Sequence, residues 1–271
     1  MRAVLGARLF TQWPVLVALL SLTLPLAAAD GAGGYRLLEL DGYKVKWGDQ
    51  TLGVGASISY AFADETLNFD DARNCGVLAP MKLLSGQDLS FDTLVLETAA
   101  AFRVWERAAD LSFYRVDNAR DADIVLGAQG QPRGRAFANV DFAPDPEGSV
   151  GSIRQSLVCL NPEHRWKVGF DGDKDVYDIR YTLIHEIGHA IGLDHPGPSG
   201  QLMGFRYTED FAELQPGDLK GVRQLYGRGG EENVLAIGAD PQLSTTPARV
   251  YLANDLTGHS EASTSEEKRR F

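Results

Sequence analysis

The segment His185-Glu186-Ile187-Gly188-His189-Ala190-Ile191-Gly192-Leu193-Asp194-His195 constrains this chain more than any other stretch. It fits the pattern H-E-x-x-H-x-x-G-x-x-H. Two histidines four residues apart stand one turn apart on the same face of a helix. A glycine adopts positive φ without strain, so Gly192 can stop that helix and let the chain bend back toward His195. The segment therefore demands a helix, a stop and a reversal. Three neutral imidazoles gathered this way leave one tetrahedral position of a zinc ion open, as catalytic zinc sites do. Glu186 follows the first ligand and can reach a water at that position without ligating the metal. Such a water has its pKa brought from about 15.7 toward about 7. Glu186 would take its proton and later protonate a leaving amine. The chain has five histidines and three of them fall in this window, so incidental core histidines explain it poorly.

The rest of the chain predicts a mixed sheet with two long helices, a fold of the α+β (mixed α/β) class. Tyr43 to Phe62 reads as one or two strands with a turn at Gly53 to Gly55. Asp64 to Gly86 is turn-rich. Leu94, Val95, Thr98, Phe102 and Trp105 recur at helical steps within Asp92–Ala109, with Asp92 as the expected cap. Strands are expected at Leu111–Val116, Ala122–Ala128, Ala136–Val140 and Ser152–Leu160. A second helix spans about Val176–Leu193 and a third Pro216–Tyr226, closed by Gly227.

The first 29 residues read as a signal peptide. Arg2 and Arg8 precede an apolar run from Val15 to Leu26, and Ala27-Ala28-Ala29 supplies the small residues of a cleavage site. Residues 30–42 read as a short leader and candidate propeptide, 43–227 as the catalytic domain, and 228–271 as a polar tail expected to be disordered. A formal charge of −11 denies the chain the basic footprint of nucleic-acid binding. No later segment is long and apolar enough to span a bilayer. The expectation is a secreted or periplasmic monomer, without nucleic-acid or membrane partners once the signal is removed.

The extended motif resembles that of the metzincins, and its surroundings resemble the matrixins, the matrix-metalloproteinase family. Met203, in Gln201-Leu202-Met203-Gly204, is similar to the Met-turn beneath the family's zinc. Tyr207 matches a tyrosine that walls the family's primed-side specificity pocket, and Phe205 stands where matrixins carry a proline in that wall. Leu214 to Gly227 is similar to the family's closing helix, with Gly217-Asp218 in place of two adjacent Asp. Pro196-Gly197 after the third histidine is similar to serralysins. The resemblance covers about residues 43–227. It implies one catalytic zinc on His185, His189 and His195, with Glu186 as the base. It also implies a protein or peptide substrate lying extended and antiparallel to an edge strand near Arg135–Val140. Residues 128–151 contain no histidine, so the second, structural zinc of vertebrate matrixins is expected to be absent. Rival readings are a hydrolase of a non-protein amide, such as a cell-wall crosslink, and a catalytically silent binding module.

Two features stay open at this stage. Asp171, Asp173 and Asp175 alternate as in a calcium loop, but Val176 and Thr182 stand where such a loop has Gly and Glu. A solvated acidic turn and a Ca2+ site are both compatible with them. Cys75 and Cys159 are the only cysteines. Arg73-Asn74-Cys75-Gly76-Val77 resembles the matrixin switch, whose thiolate holds the fourth zinc position and keeps the enzyme latent. An exported chain equally permits a Cys75–Cys159 disulfide, the favoured reading. Latency would then fall to the leader, through Asp41 or Asp30.

Overall fold

The computed structural model describes residues 34–86, 88–130 and 133–229. The signal peptide, the first part of the leader and the tail beyond Gly229 lie outside the described residues. The strands are β1 (Arg36–Leu37), β2 (Glu39–Leu40), β3 (Tyr43–Lys46), β4 (Ala56–Phe62), β5 (Leu67–Asn68), β6 (Val77–Leu78), β7 (Leu111–Arg115), β8 (Ile124–Ala128), β9 (Ala136–Ala143), β10 (Val150–Leu160), β11 (Trp166–Lys167), β12 (Tyr177–Asp178) and β13 (Leu193–Asp194). The helices are α1 (Phe91–Ala108), α2 (Ile179–Ala190) and α3 (Pro216–Tyr226).

The main sheet runs β2-β3-β10-β8-β4-β7, and β9 pairs with β10 beside it. β3, β10, β8, β4 and β7 are mutually parallel, whereas β9 and β2 run antiparallel to their partners. The class is α+β, as the order of elements predicts. All of β8 is buried, which fits a central parallel strand covered on both faces.

The period of two along each strand divides the core. Ile124 and Leu126, with Val158 and Leu160, face the helices and join Trp105, Ile184 and Ile187 in the larger cluster. Val125, Leu157 and Cys159 face the other way, into a smaller cluster with Cys75 and Leu78. That second face is covered by the loop after β4. The loop lies close on the sheet: a Cβ at Gly127 would stand 2.9 Å from the Ala79 carbonyl oxygen and 3.0 Å from Leu78 Cβ. Cys75 and Cys159 are bonded there, with Cα atoms 5.5 Å apart.

Local chemistry sets the helix ends. α1 is capped by Ser90, whose side chain accepts from Thr93 N; this corrects the expectation of Asp92, which lies inside the first turn. α2 starts three residues later than expected, because Asp178 takes the cap and accepts from Tyr181 N at 2.7 Å. α3 has Pro216 at its start and Gly227 at its end. The part of the leader described, from Gly34 on, is built into the fold. β1 pairs with β13, and β2 with β3 through an Asp41-Gly42 turn at φ 50° and 86°. Positive φ at both central residues is what a tight hairpin requires.

Candidate active site

α2 carries His185 and His189 on one face, and the turn after it returns His195. That turn is fixed by the carbonyls a helix leaves unpaired at its end. Ala190 O accepts from Trp47 Nε1 at 2.9 Å and from Ser156 Oγ at 3.0 Å. Ile191 O accepts from Tyr226 OH at 2.8 Å. Gly192 then sits at φ 98°, with the Val45 carbonyl oxygen where a Cβ would stand. No other residue meets both demands. Gly192 O accepts from Leu38 N at 2.8 Å, so the first strands hold the turn from outside. His195 N donates to Asp194 Oδ1 at 2.7 Å, and the second oxygen of Asp194 pairs with Arg36 at 3.0 Å.

The three Nε2 atoms lie 3.0–3.2 Å from one another. His185 Nδ1 lies 2.8 Å from Leu202 O, and His189 Nδ1 2.8 Å from Leu193 O. A carbonyl oxygen only accepts, so in both rings the proton sits on Nδ1. Each Nε2 therefore turns a lone pair toward the common point. Nitrogens at about 2.0–2.1 Å from a tetrahedral ion stand about 3.3 Å apart, so the spacing suits zinc. Burial keeps these rings neutral: His185 lies well below the usual imidazole range, His189 falls to about 4, and His195 is lowered too. Among the described residues this is the one group of three or more His, Cys, Asp or Glu whose ligand atoms gather closely enough for a metal.

Glu186 is buried next to His185. Burial pushes its carboxyl up to about 7, against the opposing pull of Arg135. A carboxyl near neutrality exchanges protons readily in either direction. Met203 is buried and packs into α2 at Gly188, where a Cβ would overlap its sulfur and stand 2.9 Å from Trp105 Cζ2. Asp218 holds this turn. It accepts from Leu202 N at 2.8 Å and Met203 N at 3.1 Å, while Gln201 Oε1 accepts from Gly217 N at 2.7 Å. Asp218 thus steadies the segment whose Leu202 carbonyl orients His185.

An open cleft of about 1140 Å³ runs over His185, Glu186, His189 and His195. β9 forms one wall, and Phe205, 53% exposed, stands beside His195 with ring centroids 6.0 Å apart. Tyr207 is set back from that surface. Its hydroxyl donates to Glu209 Oε1 at 2.8 Å and accepts from Asp178 N at 3.0 Å. Its ring meets Tyr177 and Tyr181 edge to face, and the Arg135 guanidinium lies over it at 5.4 Å. Arg135 belongs to this surface, and the sequence alone marks it only as the start of an edge strand. A single arginine ahead of a strand carries no motif; its role depends on three tyrosines from elsewhere in the chain.

Asp171, Asp173 and Asp175 do not bring their carboxylates together. Asp171 pairs with Lys167, and Asp171 Oδ1 and Asp173 Oδ1 accept at 3.0 Å from the backbone N–H groups of Asp173 and Asp175. Lys167 also pairs with Glu209 at 2.7 Å. Cys75, bonded on the far face of the sheet, is not among the groups at the histidines.

Comparison with known proteins points the same way. The family model described as Matrixin matches residues 83–227, more than half of the chain. Probable matrix metalloproteinase 095L of Invertebrate iridescent virus 3 is 29% identical over 163 residues, 58% of this chain and 43% of that protein. Matrilysin of Mus musculus is 29% identical over 139 residues, 47% of this chain and 49% of its own. Interstitial collagenase A of Mus musculus is 32% identical over 140 residues, 48% of this chain and 28% of its own. The chain thus spans about half or less of the length of these relatives.

Proposed function

The chain belongs to the matrixin family, and from that premise we propose that it is a zinc-dependent endopeptidase with Glu186 as its general base. The observation that carries this reading is the convergence of three lone-pair nitrogens beside a buried carboxyl, on the floor of an open cleft. His185, His189 and His195 would hold one zinc. A bound zinc supplies Lewis acidity and makes a water at its open position acidic near neutral pH. Glu186, a buried carboxyl on the floor of the cleft, would accept a proton from a water held there and pass it to the amine that leaves. Among the described residues β9 is paired with β10 on one side only, so its other edge presents free backbone groups to the cleft. An extended peptide can bind there as an added strand, with its backbone held and its side chains alternating. The acidic loop at Asp171–Asp175 is read as a turn closed by Lys167 rather than as a calcium site. We also infer export, supported by the sequence of residues 1–29 and by a disulfide, a bond of oxidising compartments. Among the described residues no helix is long and apolar enough to cross a membrane.

The test is digestion of a peptide library and of casein by the purified chain, with and without a zinc chelator. Cleavage within peptides, lost on chelation and regained with zinc, is the expected result. Glu186→Ala should keep the metal and lose at least about 10²-fold in turnover, the scale of a general base. Parental turnover in that variant would remove Glu186 from the mechanism.

A further inference from the structure

Arg135 is a charged side chain on the cleft wall that the reaction above does not use. It stands directly ahead of β9, in a chain of formal charge −11. Its backbone is fixed by a turn: Asn161 N donates to Arg135 O at 2.9 Å, and Asn161 Nδ2 to Gly134 O at 2.9 Å. Its guanidinium lies 5.1 Å from the ring centroid of Tyr177 and 5.4 Å from that of Tyr207. Those rings are braced edge to face at 5.3 Å, and Tyr181 stands 5.1 Å behind Tyr207. A planar cation over such rings is held in one orientation, with its N–H groups around the rim.

The nearby carboxylates are engaged elsewhere. Glu209 serves Lys167 and Tyr207, and Asp178 accepts from Tyr181 N and Gly169 N. Among the described residues Arg135 forms no ion pair. Its Nε is buried without a hydrogen-bond partner. A guanidinium this desolvated and without a countercharge is costly to hold, and an anion in the cleft beside it would supply that countercharge. Arg135 lines the same cleft as His185 and Glu186. Next after burial, its charge acts on the Glu186 carboxyl.

We propose that Arg135 is a specificity-determining residue that binds a carboxylate of the substrate just beyond the cleaved bond. This rests on the endopeptidase reading. A substrate extended antiparallel to β9 places the residues that follow the cleaved bond toward the start of that strand, where Arg135 stands. The carboxylate is either an acidic side chain at the first or second position after the bond, or the substrate's own C-terminus.

The experiment compares kcat/KM for peptide pairs with Glu or Gln at each of those positions. The same peptides shortened to end there, as free acid or as amide, form a second arm. The wild-type chain should favour the carboxylate by about tenfold or more, as hydrogen bonds to charged groups do. The arm that carries the preference identifies the source. Arg135→Gln should bring the ratio to about one, and Arg135→Glu should reverse it in favour of Lys at the same position. A lesion that only loosened the fold would lower both rates and leave their ratio alone. Binding of uncleaved Glu and Gln peptides to Glu186→Gln, with and without Arg135→Gln, gives the same comparison without turnover. No preference in an enzyme that cleaves neutral peptides overturns the inference, as does a preference that survives Arg135→Gln. Failure of the wild-type chain to cleave any peptide would instead overturn the endopeptidase reading beneath it.

Discussion

Gly188 shows how closely single atoms decide this site. It lies inside α2, where alanine is ordinarily better by about 1 kcal/mol. Its missing Cβ leaves room for the Met203 sulfur and for the Trp105 ring, whose Nε1 donates to Ile184 O at 3.0 Å. Met203 has a flexible side chain and can give way; the buried indole cannot. Overpacking of this kind costs about 1–3 kcal/mol, so it outweighs the gain in helix propensity. Gly188→Ala is therefore expected to lower stability by about 1–2 kcal/mol and to weaken zinc retention. Chemical denaturation and metal analysis after dialysis measure both. A variant as stable as the parent, with its zinc intact, would show that the Trp105 ring can shift as readily as Met203.

Elements were legible in the sequence where their signals are local. α3 falls within its expected bounds because local residues mark its ends, Pro216 in its first turn and Gly227 capping it just past Tyr226. The histidine motif gave its helix, stop and reversal for the same reason. The strands were less legible: β9 and β10 run past their expected ends because each pairs with the other over most of its length. Strand extent is set by such partners, not by intrinsic preference. β1 was invisible, since Arg36 meets Asp194 across most of the chain, and no periodicity in two residues reveals that. Its consequence is large for its size. Without β1 and Leu38 just after it, the Gly192 carbonyl loses the Leu38 N–H, Asp194 loses Arg36, and the turn to His195 loses its outer wall. A chain shortened to begin at Glu39 should thus bind zinc more weakly and melt at lower temperature. Zinc stoichiometry and a melting temperature equal to those of the longer chain would show that the reversal is held by Gly192 and Tyr226 alone.

At the scale of the whole molecule, the sheet separates two tasks. The helix-covered face carries the larger core and the histidines, while the opposite face carries the smaller core and the Cys75–Cys159 bond. The two are linked at the cleft, because residues 69–74, just ahead of Cys75, line the same surface as His185 and Glu186. The bond therefore ties a cleft-lining segment to β10, the strand that also carries β9. Its partners are separated by 84 residues. Closing so long a loop stabilises by about 4 kcal/mol in the chain-entropy model. Denatured, unreduced protein is expected to show no titratable thiol. Replacing both cysteines by serine should lower stability by a few kcal/mol and raise KM for extended peptides more than it lowers kcat, because the cleft wall loosens while the histidines stay on their own helix and turn. The opposite outcome is just as sharp. Two free thiols, with peptidase activity rising when they are alkylated, would place a thiolate at the metal and make residues 73–77 an inhibitory segment instead of a structural one.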